Sequence, residues 1–176
     1  MSTNILKDDL EYIANYNLPY ENLKGQTGLI GFHLIKALLT IGDIKIIALI
    51  RNINKAKEIY TKEEMEHISF AIGDIVEEIN IDMEVDYIFH CAAVTTSKTM
   101  INNPVETIIT SVNGTNNILK LAAVKKSKSV VFISSMEMYG SFDDDAGEIT
   151  EEKIGYIDPL KVRSNYPESK RLCENM

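Results

Sequence analysis

Gly25-Gln26-Thr27-Gly28-Leu29-Ile30-Gly31 runs directly into Phe32, Ile35, Leu38 and Leu39, and Lys45-Ile46-Ile47-Ala48-Leu49-Ile50 follows. The apolar residues after Gly31 recur at helical spacing, whereas the second run is short and β-branched, as a buried parallel strand is. Glycines at 25, 28 and 31 permit a tight turn, close approach of a pyrophosphate and close packing of helix on sheet. The helix N-terminus would add backbone N–H groups and the positive end of its dipole. An ordinary glycine-rich loop before a helix reads the same way. A dinucleotide loop should also follow a hydrophobic strand, and Leu18-Pro19-Tyr20-Glu21-Asn22-Leu23-Lys24 is no such strand.

The pattern extends outward on both sides. Lys7 to Tyr16 is predicted helical, with Leu6, Leu10, Ile13 and Ala14 on one stripe, and Pro19 interrupts it. Asn54 to Glu66 is polar and predicted to be helical. Ser69 to Ile72 is expected to be a strand ending at Gly73-Asp74-Ile75, and Tyr87 to Ala93 another. Pro104 suits the first turn of a long helix reaching Lys125. Ser129 to Ile133 is a further strand, the stretch 141–158 an acidic loop, and a last helix opens near Tyr166. Strands alternating with helices imply an α/β fold with a parallel sheet covered on both faces.

A chain of 176 residues, 45% apolar and 25% charged, suits one soluble domain with a sizeable core. The net charge of -8 argues against a phosphate-backbone binder, so no nucleic-acid partner is expected. Cys91 and Cys173 lie far apart without a C-x-x-C, and His33, His67 and His90 are scattered, so neither a disulfide framework nor a metal site is expected. No basic region followed by an apolar run opens the chain, and no apolar stretch is long enough to span a membrane. The cytoplasm is the expected compartment.

Chemistry-bearing residues cluster at strand ends and in the last helix. Arg51 ends its strand 20 residues after Gly31, where an acidic residue would bind a ribose 2′-hydroxyl and a basic one a 2′-phosphate. It reads equally as an exposed strand-end arginine. Asp74 could hydrogen-bond an adenine amino group or be a solvated turn residue. Ser135, Glu137 and Tyr139 follow a strand at the sheet edge where ligands bind. There a hydroxyl can orient a reacting oxygen and a carboxylate can assist proton transfer, although both residue types are also frequent in loops. Cys91 reads as core packing within its strand. Tyr166 and Lys170 stand one helical turn apart on one face. An ammonium beside a phenol favours the phenolate, lowering its pKa from about 10 towards neutrality and suiting it to act as a general base on a sugar or steroid hydroxyl.

Taken in order, Thr27 to Gly31, Gly73-Asp74-Ile75, Asp86 to Ala93, Gly114-Thr115-Asn116-Asn117, Ile133 to Gly140 and Tyr166 to Lys170 resemble the extended short-chain dehydrogenases/reductases of the NAD-dependent epimerase/dehydratase type. Ser135-Met136-Glu137-Met138-Tyr139-Gly140 and Tyr166-Pro167-Glu168-Ser169-Lys170-Arg171 are similar to the corresponding stretches of UDP-glucuronate decarboxylases. The resemblance implies a Rossmann-like doubly wound parallel sheet that binds NAD, with NADP the alternative because of Arg51. The cofactor-binding residues it implies are Gly25, Gly28, Leu29, Ile30, Gly31, Arg51, Asp74, Ile75, Ala92, Ala93, Tyr166 and Lys170. For the chemistry it implies Ser135 orienting the C4 oxygen of a nucleotide sugar, Glu137 assisting at the ring, Tyr166 as base and Lys170 tuning it. The implied reaction is oxidation at C4 of a glucuronate, loss of carbon dioxide and re-reduction. A 4-epimerase or 4,6-dehydratase is the alternative, although Met136 stands where dehydratases carry an aspartate.

Three departures accompany the resemblance. The first strand is missing, Ser111 replaces an asparagine, and nothing follows Met176. The expected organisation is therefore an N-terminal helical extension over 1–22 and an incomplete NAD(P)-binding domain over 23–176, truncated before the C-terminal substrate region. Such a chain is expected to bind nucleotide poorly and to turn over no sugar alone. Related enzymes pair through their long helices, here Pro104 to Lys125 and the helix begun by Tyr166, and the shortened second helix argues against a stable homodimer. Rival readings are a non-catalytic dinucleotide-binding or regulatory domain and a truncated relic.

Overall fold

The computed structural model describes residues 28–41, 44–143, 145 and 147–176. The expected helix at Lys7 to Tyr16, Gly25, and the segment read as lacking a strand all lie outside them. Helices α1 (Leu29–Ile41), α2 (Ile53–Ile59), α3 (Lys62–Glu66), α4 (Ser97–Asn102), α5 (Pro104–Lys125) and α6 (Asn165–Asn175) alternate with strands β1 (Ile46–Ile50), β2 (Ile68–Ile72), β3 (Tyr87–His90) and β4 (Ser129–Phe132). Short 3-10 turns form at Met136–Tyr139 and Val162–Ser164. The fold is α/β and Rossmann-like. Its strands form two separate pairs, β1 with β2 and β3 with β4, and among the described residues no strand joins them. β3 and β4 run parallel, Tyr87 opposite Ser129 through His90 opposite Phe132.

Contacts divide the chain into two compact units. One comprises the chain up to Ala48 with Asn52–Ser69, the other Leu49–Arg51 with Phe70–Met176. In the first, Phe32 and Tyr60 are buried with ring centroids 5.6 Å apart, and Lys36 lies over both rings while pairing with Glu64. The expected single helix from Asn54 to Glu66 is two. Tyr60 is extended and Thr61 caps α3, its hydroxyl accepting from the Glu64 N–H while the Glu64 carboxylate accepts from the Thr61 N–H. A capping box satisfies orphan donors at a new helix start, so it favours the break.

In the second unit, Ile88, Ile118 and Leu121 form the core, with Ile75, Ile79, Ile81, Val85, Ala122 and Val130 packed against them. Ile88 and His90 alternate with exposed Tyr87 and Phe89, so β3 turns one face to α5. Pro104 stands at the first turn of α5 as expected. The strand foreseen over Tyr87 to Ala93 stops at His90, and half-buried Cys91 lies just past its end rather than within it. From α5, the Asn117 amide donates to the carbonyls of Ile75 at 3.0 Å and Glu77 at 2.8 Å, fixing the turn after β2.

Candidate active site

The last helix carries Tyr166 and Lys170 one turn apart, both buried. Lys170 Nζ donates to the Ile133 carbonyl at 2.7 Å, just past β4, and lies 4.4 Å from the centroid of the Phe132 ring and 5.8 Å from that of Tyr166. A buried ammonium is costly unless paired or hydrogen-bonded; a carbonyl and an aromatic face answer part of that cost here. Burial holds the Lys170 pKa below the usual lysine value, against the opposing pull of Cys173, Glu174 and Cys91. Burial also raises Cys91, with Lys170 opposing.

Ser135 caps the turn after β4, its Oγ accepting from the Glu137 N–H at 3.2 Å. The Glu137 carboxylate accepts from Arg163 Nη2 at 2.8 Å, and the same guanidinium lies 5.5 Å from the Tyr166 ring centroid. Glu137, Arg163, Tyr166 and Lys170 thus form a connected group, with Ser135 on the same turn as Glu137. An arginine between a carboxylate and a phenol concentrates positive charge beside both.

A second group lies at the end of β2. Arg51, largely exposed, pairs with Asp74 at 3.7 Å, and Asp74 Oδ1 also accepts from the Val76 N–H at 3.2 Å. Ile75 fits against Gly114, where a Cβ would stand 3.0 Å from Ile75 Cγ1. Ala92 is exposed and Ala93 half-buried just past β3. In the other unit, Gly28 precedes α1, its carbonyl accepting from the Phe32 N–H at 3.1 Å. Leu29, Ile30 and Gly31 therefore form the helix's first turn, whose N–H groups have no partner within the helix, as an anion site requires. Gly25 lies outside the described residues.

Two residues of the candidate site were not foreseen. Arg163 had no sequence signal of its own. Arg171 was visible in the stretch ending Lys170-Arg171, but its role depends on where a distant loop returns. Its Nε donates to the Met138 carbonyl at 2.5 Å and its Nη2 to those of Gly155 at 2.7 Å and Tyr139 at 3.2 Å. Among the described residues no His, Cys, Asp or Glu cluster could hold a metal ion, and no helix is long and apolar enough to cross a membrane.

The chain is similar to several known proteins. UDP-glucuronic acid decarboxylase 1 of Xenopus tropicalis is 30% identical over 88% of this chain, which spans 35% of that protein. The UDP-N-acetyl-alpha-D-glucosaminuronate decarboxylase of Bacillus cytotoxicus is 31% identical over 88% of this chain and 47% of its own length. Among solved structures, the dTDP-glucose 4,6-dehydratase of Streptomyces venezuelae, with NAD bound, superposes with a TM-score of 0.66 at 25% identity, over 86% of this chain and 48% of that one. The chain therefore spans between about a third and a half of the lengths of these relatives. Residues 23–176 match the family as a whole, and with the tyrosine–lysine helix and the Ser135–Tyr139 turn in place, the chain belongs to the NAD dependent epimerase/dehydratase family.

Proposed function

We propose that the chain is part of a nucleotide-sugar enzyme of the UDP-glucuronate decarboxylase type, with residues 23–176 in its dinucleotide-binding domain. The observation that carries this reading is the connected group of Glu137, Arg163, Tyr166 and Lys170 beside Ser135. The identity with two uronate decarboxylases supports it. In one unit the exposed first turn of α1 suits a phosphate group; in the other the Arg51–Asp74 pair suits the adenosine part of a dinucleotide. NAD is the expected cofactor, and the exposed Arg51 guanidinium leaves NADP as the alternative.

A bound nicotinamide dinucleotide supplies the hydride acceptor for oxidation at C4 and the donor for the later reduction. Tyr166 would take the C4 hydroxyl proton, with Lys170 and Arg163 placing positive charge near the ring as it does so. Ser135 would orient the C4 oxygen and Glu137 would assist at the sugar ring. With C4 oxidised, the glucuronate is a β-keto acid and loses carbon dioxide. Met136, 85% exposed, offers no acid for a leaving hydroxyl, which disfavours the 4,6-dehydratase variant while leaving the 4-epimerase. A non-catalytic dinucleotide-binding domain is the rival of another class. It is favoured by the internal engagement of two key groups, Glu137 with Arg163 and Lys170 with Ile133.

Titration calorimetry of the 176-residue chain with NAD and NADP separately tests the reading. Weak but saturable binding of one of them, abolished by Gly28→Val, is expected, and the preferred dinucleotide fixes the role of Arg51. No saturation with either removes the cofactor from this chain's function. Carbon dioxide release from UDP-glucuronate would overturn the expectation that the chain is inactive alone.

A further inference from the structure

The proposed catalytic groups come from two places in the chain. Tyr166 and Lys170 ride on α6, whereas Ser135 and Glu137 sit on the turn after β4. The intervening chain makes a long acidic excursion and returns to this turn as an isolated antiparallel bridge between Ser141 and Tyr156. Arg171 sits where helix, turn and returning chain meet. Its single guanidinium donates to the carbonyls of Met138 and Tyr139 on the turn and of Gly155 on the returning strand. Among the described residues the carboxylate paired with it, Glu168, stands 4.0 Å away, and three backbone carbonyls lie closer.

The backbone is shaped around that guanidinium. Gly140 has φ +79, and a Cβ there would stand 2.7 Å from the Tyr156 carbonyl oxygen and 2.9 Å from Arg171 Nη2. A Cβ on Gly155 would stand 2.3 Å from the Ser141 carbonyl oxygen. Only glycine allows the two segments to approach this closely. A rigid planar fork with five N–H donors can serve three converging carbonyls, which a lysine ammonium on a flexible stem cannot match in geometry. Lys170 and Arg171 are neighbours on α6 and point to different faces, so one helix both supplies a proposed catalytic ammonium and grips the opposing turn.

We propose that Arg171 is the positioning residue of this site, setting the Ser135–Glu137 turn against Tyr166 and Lys170. Its catalytic importance rests on the decarboxylase-type reading above; the clamp itself does not. The test uses the full 176-residue chain with Arg171→Met, which keeps the aliphatic stem, Arg171→Lys, which keeps the charge, and Arg171→Ala. Amide exchange is followed by NMR together with the side-chain carboxylate carbon of Glu137. The amides of Gly140, Ser141, Gly155 and Tyr156 should exchange about tenfold faster or more in Arg171→Met, and to a lesser degree in Arg171→Lys, while those of Ile118 and Leu121 in α5 keep their protection. The Glu137 signal should shift although Arg171 does not touch it, because a loosened turn moves the carboxylate from Arg163. Methylguanidinium should restore protection to Arg171→Ala. Unchanged exchange at the four amides, equal loss of protection throughout α5, or an unmoved Glu137 signal would each overturn the clamp. If Arg171→Met does not fold, Arg171→Lys is read by the same criteria. Failure of the wild-type chain to bind any dinucleotide, with exchange changes confined to the turn, would sink the functional reading and leave the clamp standing.

Discussion

His90 shows how one buried group sets a pH dependence. It is 3% exposed at the end of β3, its Nε2 lies 3.1 Å from Thr115 Oγ1, and among the described residues its Nδ1 has no hydrogen-bond partner. Burial first, and the charge of Lys170 second, push its pKa down to about 4 from 6.5. The imidazole is therefore neutral in the folded chain at pH values where an unfolded chain protonates it. Below about pH 6.5 the unfolded state binds more protons, so stability is complete above that value, falls as pH drops towards 4 and then levels off. The loss is on the order of 1–3 kcal/mol. Thermal melts between about pH 5 and 7, above the range where most carboxylates titrate, should show it, and His90→Gln should flatten the slope. Parallel slopes in both proteins would place the effect elsewhere. At this scale the sequence shows what is local and hides what is not. Tyr166 and Lys170 are readable because helical spacing alone puts them on one face. Arg163 and Arg171 are not, because their partners at Glu137, Met138, Tyr139 and Gly155 reach them only through the return of a distant loop.

At the scale of elements, α5 carries a strained end. It stops at Lys126, whose φ of 55 is left-handed; the N–H of Lys126 bonds back to Ala122 and Ala123, and that of Ser127 to Ala122 at 2.9 Å. This cap geometry favours glycine, and a lysine in it carries roughly 1 kcal/mol of backbone strain. Lys126→Gly should therefore raise stability by about 0.5–1 kcal/mol, after allowing for the greater freedom of glycine in the unfolded chain. A urea midpoint that stays put or falls would show that the helix end relaxes the strain by other means. Most elements are legible where their signals are local. Pro104 marks the start of α5, a β-branched run marks β1, and the glycine run marks α1. The break between α2 and α3 was also written locally, in Thr61-Lys62-Glu63-Glu64, but the polar run around it reads as one continuous helix. The early end of β3 was not written in β3 at all. Its pairing stops at His90 because its partner β4 ends at Phe132, a fact of register between strands distant in sequence.

At the scale of the whole molecule, the two strand pairs bear on the strand expected before the glycine loop. In a doubly wound sheet the strand before the glycine loop lies at the centre, between the strand that follows the loop's helix and the fourth strand in sequence. Among the described residues β1 pairs with β2 and β3 with β4. Leu18 to Lys24 carries a proline and two charges where the central strand's apolar run belongs. The central strand supplies hydrogen bonds to both neighbours and the platform from which the phosphate loop springs. Losing such a strand would be large against the usual net stability of about 5–15 kcal/mol. A gain-of-function experiment follows. Inserting a β-branched run of about five residues between Lys24 and Gly25 should raise both thermal stability and affinity for the preferred dinucleotide, the latter by about tenfold or more. A glycine–serine insert of equal length should do neither, since it lengthens the loop without supplying a strand. If the two inserts behave alike, dinucleotide binding does not depend on a central strand. If only the β-branched insert tightens binding, then Gly28 to Gly31 and the turn after β2 already hold the family's cofactor chemistry, with a single strand the element that separates them from it.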